Sequence, residues 1–147
     1  MLRIFQDWLQ NQLQADPSSE TSHDVATAVL LYEVMRADRE FTEQEQRVYR
    51  EQLQRHFSLL PEELDTLCQM SQSKAEGAVD YQQFTRVVND YCGPEQKRKI
   101  LDSLWAVAFS DHELSPDEEY TIRKIADLLY IPHSQYIQSK LANQPRF

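Results

Sequence analysis

The segment Leu101 to Leu129, LDSLWAVAFSDHELSPDEEYTIRKIADLL, reads as an apolar helix, an acidic turn and a second helix that opens on a cap. A fainter copy lies upstream at Leu31 to Leu53, LYEVMRADREFTEQEQRVYREQL. Setting Asp38 on Asp111, a shift of 73 positions, also aligns Leu31 with Leu104, Val34 with Val107, Glu40 with Glu113 and Glu45 with Glu118. A weak internal repeat of this kind constrains the fold strongly, because each apolar helix needs a partner and its own duplicate is at hand. The expected repeats cover about residues 22–57 and 94–130.

Only two glycines and six prolines are available for the tight turns of a sheet protein, whereas Gln, Glu, Leu, Ala and Arg are abundant. The expectation is an all-α fold of about seven or eight helices. At 147 residues, 41% of them hydrophobic, residues 1–147 suit a single domain with a single core.

Taken in order, residues 2–13 place Leu2, Phe5, Leu9 and Leu13 on one stripe with Trp8 beside it, an amphipathic helix that packs on the core or meets a partner. DVATAVLLYEVMRAD has so broad an apolar face that it reads as a buried central helix, with Glu33 as the odd carboxylate inside it. Thr42 and Glu45 form a capping-box pattern opening a helix that runs to about His56, read as a favourable cation at the helix end. Pro61 starts another helix, with Ser71 to Gly77 as its exit, and Asp80-Tyr81-Gln82-Gln83 caps the next. Pro94 begins the second copy, where Gln96-Lys97-Arg98-Lys99 reads as solvated charge and the helix through Leu104 and Phe109 should pack on the helix of Leu31 and Val34. Ser115-Pro116-Asp117-Glu118 is a second capping box, and a last helix carries Tyr136, Ile137 and Leu141 inward. The tail NQPRF is expected to be loose.

Fifteen basic against 24 acidic residues give a net charge of −9, which repels phosphate backbones and excludes nucleic acid as a natural partner. Cys68 and Cys92 stand apart from each other and from any histidine pair, so they read as buried free thiols. No apolar run approaches a transmembrane span and no signal-peptide pattern opens the chain, so the expected location is cytoplasmic.

Asp38 and Asp111 each close an apolar helix, where a carboxylate meets the negative end of the helix dipole and needs compensation. Amides of the turn, the start of the next helix or a bound cation could each supply it. Glu40 and Glu113 follow those aspartates by two residues in both copies, a spacing that lets two carboxylates converge from an irregular turn. Asp38, Glu40, Asp111 and Glu113 are therefore the candidate metal ligands, for calcium, magnesium or another divalent cation. Glu33, Glu45, Glu118 and Glu119 are weaker ones, since capping already accounts for Glu45 and Glu118. Neither DREFTEQE nor the later GAVDYQQF is expected to bind calcium as an EF-hand does: counting back from Glu45 puts Val34 and Arg36 at the first ligand positions and Arg39 where Gly is needed, while in the later stretch Gln72 and Lys74 occupy ligand positions and Gln83 replaces the closing Glu.

The segments VLLYEVMRADREFTEQE, VDYQQFTRVVN, Leu101 to Leu129 and IPHSQYIQSKL together resemble the tellurite-resistance TerB-like proteins, in particular their small stand-alone bacterial branch. The resemblance covers nearly everything after the first helix. It implies an all-helical fold with pseudo-twofold symmetry, an acidic cluster proposed to hold divalent metal, and a place in responses to tellurite and other stresses. Family members usually read Asp-Gly where this chain has Asp38-Arg39 and Asp111-His112.

The reading that follows is a non-enzymatic module that binds a divalent cation through its acidic turns and docks on other proteins. A metal-free interaction module is the alternative, and a homodimer stays open. An enzyme, such as a metal-dependent hydrolase, has little support. There is no Gly-rich phosphate loop, and His23, His56, His112 and His133 fall in unrelated places, with only His112 beside an acidic turn.

Overall fold

The computed structural model describes residues 23–37, 42–78, 80–110 and 114–145. Among them are seven helices: α1 (His23–Met35), α2 (Glu43–Phe57), α3 (Pro61–Gly77), α4 (Gln82–Tyr91), α5 (Pro94–Ala108), α6 (Pro116–Leu128) and α7 (His133–Asn143). The described residues contain no strand, so the all-α expectation holds. The amphipathic segment at 2–13 and the residues of both acidic turns, 38–40 and 111–113, lie outside them.

α1 is the hub. Val25, Ala26, Ala28, Val29, Leu30, Leu31 and Val34 are all 0% exposed, which leaves this helix no solvent side. It packs against α2, α3, α4, α5 and α6. α5 is the second wall, with Leu101, Leu104, Trp105, Val107 and Ala108 fully buried. It meets α1 as expected, and each of α2 and α6 touches both α1 and α5. One cluster of buried apolar side chains runs from Val25 to Tyr136.

Four local readings need correction. The Ser71 to Gly77 stretch continues α3, because Ser71 and Ala75 extend the buried face begun by Leu64, Leu67 and Met70. α7 is rolled relative to its expected face: Tyr136 and Ser139 are buried while Ile137 and Leu141 are exposed. The roll follows from polar anchors on α5, where Asp102 Oδ1 accepts from Ser139 Oγ and from Asn143 Nδ2 at 3.1 Å, and from Trp105, whose ring lies 5.3 Å from that of Tyr136. The thiols of Cys68 and Cys92 are free but only half-buried. Lys97 does not float in solvent. Its Nζ donates to Leu129 O at 3.1 Å, placing a cation on the carbonyl end of α6, and it sits 6.0 Å from the Tyr130 ring.

Several helix ends use residues other than glycine. Ser58 closes α2 in the left-handed region (φ 50°, ψ 56°) and its N–H returns to Gln54 O at 2.8 Å. Tyr130 does the same after α6 at φ 59°, and Ile131 N donates to Ala126 O at 3.0 Å, the long bond of a Schellman ending. Asp80 Oδ1 accepts from Gln82 N at 2.9 Å, an Asx turn that starts α4.

Candidate functional site

The two acidic turns hang from helices that finish alike. After α1, Arg36 N donates to Tyr32 O at 3.0 Å and Ala37 N to Val34 O at 3.2 Å. After α5, Phe109 N donates to Trp105 O at 2.9 Å and Ser110 N to Val107 O at 3.3 Å. Asp38, Glu40, Asp111 and Glu113, the first-choice ligands, then fall outside the described residues.

Where the chain is described again, each turn delivers a hydroxyl cap and a buried carboxylate. Thr42 Oγ1 accepts from Glu45 N at 3.1 Å and donates to Glu45 Oε1 at 3.2 Å. In the second copy Ser115 Oγ accepts from Glu118 N at 3.0 Å, and Glu118 Oε1 accepts from Ser115 N at 3.2 Å. Glu45 and Glu118 are each 1% exposed. Placing a carboxylate so far from water is costly unless donors and positive potential surround it, and the first turn of a helix offers both. The capping role alone suffices to explain this: Glu63, at the same position of α3, is also buried and accepts from Leu60 N at 2.9 Å, with no acidic turn before it.

Glu33 and Glu119 are tied into ion pairs. Glu33 receives Arg36 in a fork, Nε at 3.2 Å and Nη2 at 2.6 Å, and Glu119 Oε1 receives Lys140 Nζ at 2.6 Å. The Arg36 Nη2 also donates to Ala75 O at 3.2 Å and its guanidinium lies 5.4 Å from the Tyr32 ring, so Glu33 and Arg36 brace α1 against α3. Among the described residues no three His, Cys, Asp or Glu side chains form a group able to hold a metal ion.

A cavity of about 420 Å³ opens where α1 gives way to the first acidic turn, lined by Tyr32, Glu33, Arg36, Glu76, Tyr81 and Thr121 among others. Tyr32 Oη donates to Glu76 Oε1 at 3.1 Å across it. Burial, with negative charge from Glu33 and Asp80 and the nearby Tyr120 adding to it, pushes the Tyr81 hydroxyl up to about 12. Arg36 and Glu76 were not foreseen as part of this corner; the Glu33-to-Arg36 spacing on one helix was the available signal.

A polar network also joins α2 to α5. His56 Nε2 is 2.7 Å from Ser103 Oγ, which donates to Gln52 Oε1 at 3.0 Å. His56 is thus no solvated end charge, since burial and the neighbouring Lys99 hold its imidazole below the ordinary range.

The family model described as Tellurite resistance protein TerB matches residues 24–141. The chain belongs to the TerB family. That match runs from the start of the buried hub helix to the last helix and so takes in both acidic turns and both capped helices. Among curated proteins and among solved structures, none matches this TerB chain. No helix among its described residues is long and apolar enough to cross a membrane.

Proposed function

We propose that this TerB chain is a non-enzymatic module that binds a hard divalent cation through Asp38, Glu40, Asp111 and Glu113, and that it serves a tellurite or related stress response by docking on other proteins. The observation supporting the reading is that α1 and α5, the helices leading into Asp38-Arg39-Glu40 and Asp111-His112-Glu113, pack against each other and end with the same pair of backbone hydrogen bonds, Arg36 N to Tyr32 O and Ala37 N to Val34 O against Phe109 N to Trp105 O and Ser110 N to Val107 O. Oxygen donors in an irregular turn suit calcium or magnesium better than softer metals. Glu33 and Glu119 are assigned to their ion pairs with Arg36 and Lys140. The family is in general a non-catalytic domain, which agrees with this assignment.

Calorimetric titration with calcium, magnesium, manganese and zinc, on the protein and on an Asp38→Asn, Asp111→Asn double variant, tests the reading. Saturable heat in the protein that disappears in the variant supports it. No heat in either, or equal heat in both, removes the metal from the proposal. The metal-free docking module would then stand, favoured by the exposed apolar side chains Tyr130 (80%) and Leu141 (63%).

A further inference from the structure

We propose that the cleft bounded by α2, α5 and the end of α7 binds a small oxyanion that carries a hydroxyl, such as hydrogen phosphate or a short hydroxy acid. This site uses none of the acidic-turn residues and stands independently of the cation proposal.

The cleft measures about 260 Å³, and Arg55 and Lys99 are among the residues that line it. Among the described residues neither Arg55 nor Lys99 has a carboxylate within ion-pair distance, which they share with Lys74, Arg86, Lys97, Arg98, Arg123 and Lys124; what sets these two apart is that they line one cleft. Two cationic residues and one carboxylate, Asp102, on one concavity give it a net positive charge within an acidic chain.

The wall between them is built from hydrogen-bonding groups. Ser103 is 5% exposed and spends its hydroxyl proton on Gln52 Oε1. Its oxygen therefore accepts from His56 Nε2–H at 2.7 Å, a bond that the neutral Nε2–H tautomer and the imidazolium both make. Burial first and Lys99 second hold the imidazole below its ordinary range, and an anion arriving in the cleft offsets the part due to Lys99.

Asp102 decides which anions fit. It lines the same cleft, and its Oδ1 already accepts from Ser139 and from Asn143 at 3.1 Å. A carboxylate there repels an anion that has only acceptors and favours one that can donate an O–H to it. The charged groups facing His56 are then Asp24 on α1, Arg55 beside it on α2, and Lys99 and Asp102 on α5. Protonating His56 adds a third positive charge, so affinity rises as pH falls.

The test follows the His56 imidazole resonances by NMR during titration with inorganic phosphate near pH 6, below the ordinary histidine value of about 6.5. Ionic strength is held constant with sodium chloride. Sulfate titration and an Arg55→Gln, Lys99→Gln double variant run in parallel; both substituted residues are exposed, and a thermal melt checks that the variant folds. Expected are saturable shifts with phosphate, a rise in the His56 titration midpoint, weaker binding of sulfate, and affinity at least about tenfold lower in the variant. A linear drift shared with chloride, or binding retained in the variant, overturns the site. Sulfate binding as tightly as phosphate overturns the hydroxyl requirement.

Discussion

Glu45 and Glu118 occupy the same station on two helices. Each is the third residue of its helix, each is 1% exposed, and each has its amide held by the hydroxyl three positions earlier, Thr42 at 3.1 Å and Ser115 at 3.0 Å. The carboxylate of Glu118 also closes the box by accepting from Ser115 N at 3.2 Å. Glu118→Ala removes that acceptor and is expected to cost about 1–2 kcal/mol of stability. Glu118→Gln keeps an acceptor oxygen in place, and its cost should be less than half as large. Urea unfolding of both variants measures the difference. Equal losses would show that the charge of Glu118 matters more than its capping bond.

Ser58 at the end of α2 holds φ 50°, a conformation that L side chains adopt at a cost and glycine adopts freely. The side chain is exposed. Ser58→Gly should therefore raise stability by about 0.5–1 kcal/mol, the relief of the left-handed strain outweighing the added freedom of the unfolded chain. Ser58→Val should lower it. A thermal melt of the two variants gives the sign directly, and a destabilised glycine variant would mean that no strain is stored at this cap.

These caps also show what the sequence could convey. Thr42, Ser115 and Pro61 announce helix starts with local chemistry, and the unbroken apolar runs around Leu31 and Leu104 announce two buried helices; all of that is legible without coordinates. The continuation of α3 through Gly77 was not, because its polar SQSKAEG text hides two small residues, Ser71 and Ala75, that suit a close helix contact. The roll of α7 was hidden as well. Its inward face is chosen by Asp102 and Trp105, residues more than 30 positions away, and not by its own apolar spacing. His56 misled for the same reason, since burial against α5, with Lys99 nearby, lowers the affinity of this helix-end imidazole for a proton and sets it against Ser103. For the candidate cation site, the sequence supplies the four turn carboxylates, Asp38, Glu40, Asp111 and Glu113, and all four lie outside the described residues.

Stability should respond to pH through His56. Burial first and Lys99 second lower its folded-state pKa below the unfolded value, while Asp24 pulls the other way. Between the lowered value and about 6.5 the unfolded chain binds more protons than the folded one, so folding stability falls as pH drops through that window and is fully present above it. His56→Gln removes this contribution. Urea midpoints across the window should flatten in the variant, and an unchanged slope would mean that the imidazole titrates normally in the fold.

α7 is held chiefly by α5, and Asp102 is its principal polar tie. Ser139 is 0% exposed, so Asp102→Ala leaves a buried hydroxyl without its acceptor and also loses the bond from Asn143. Such a loss costs about 1–3 kcal/mol. The effect should be local, because the hub helix α1 is enclosed by α2 to α6 and owes little to α7. Hydrogen exchange is the discriminating measurement: amides of α7 should exchange faster in the variant while those of α1 between Val25 and Val34 keep their protection. If protection falls equally in both helices, α7 is an inseparable part of the cooperative core. If it falls in neither, the contacts of Tyr136 with Trp105 hold the helix without help from Asp102.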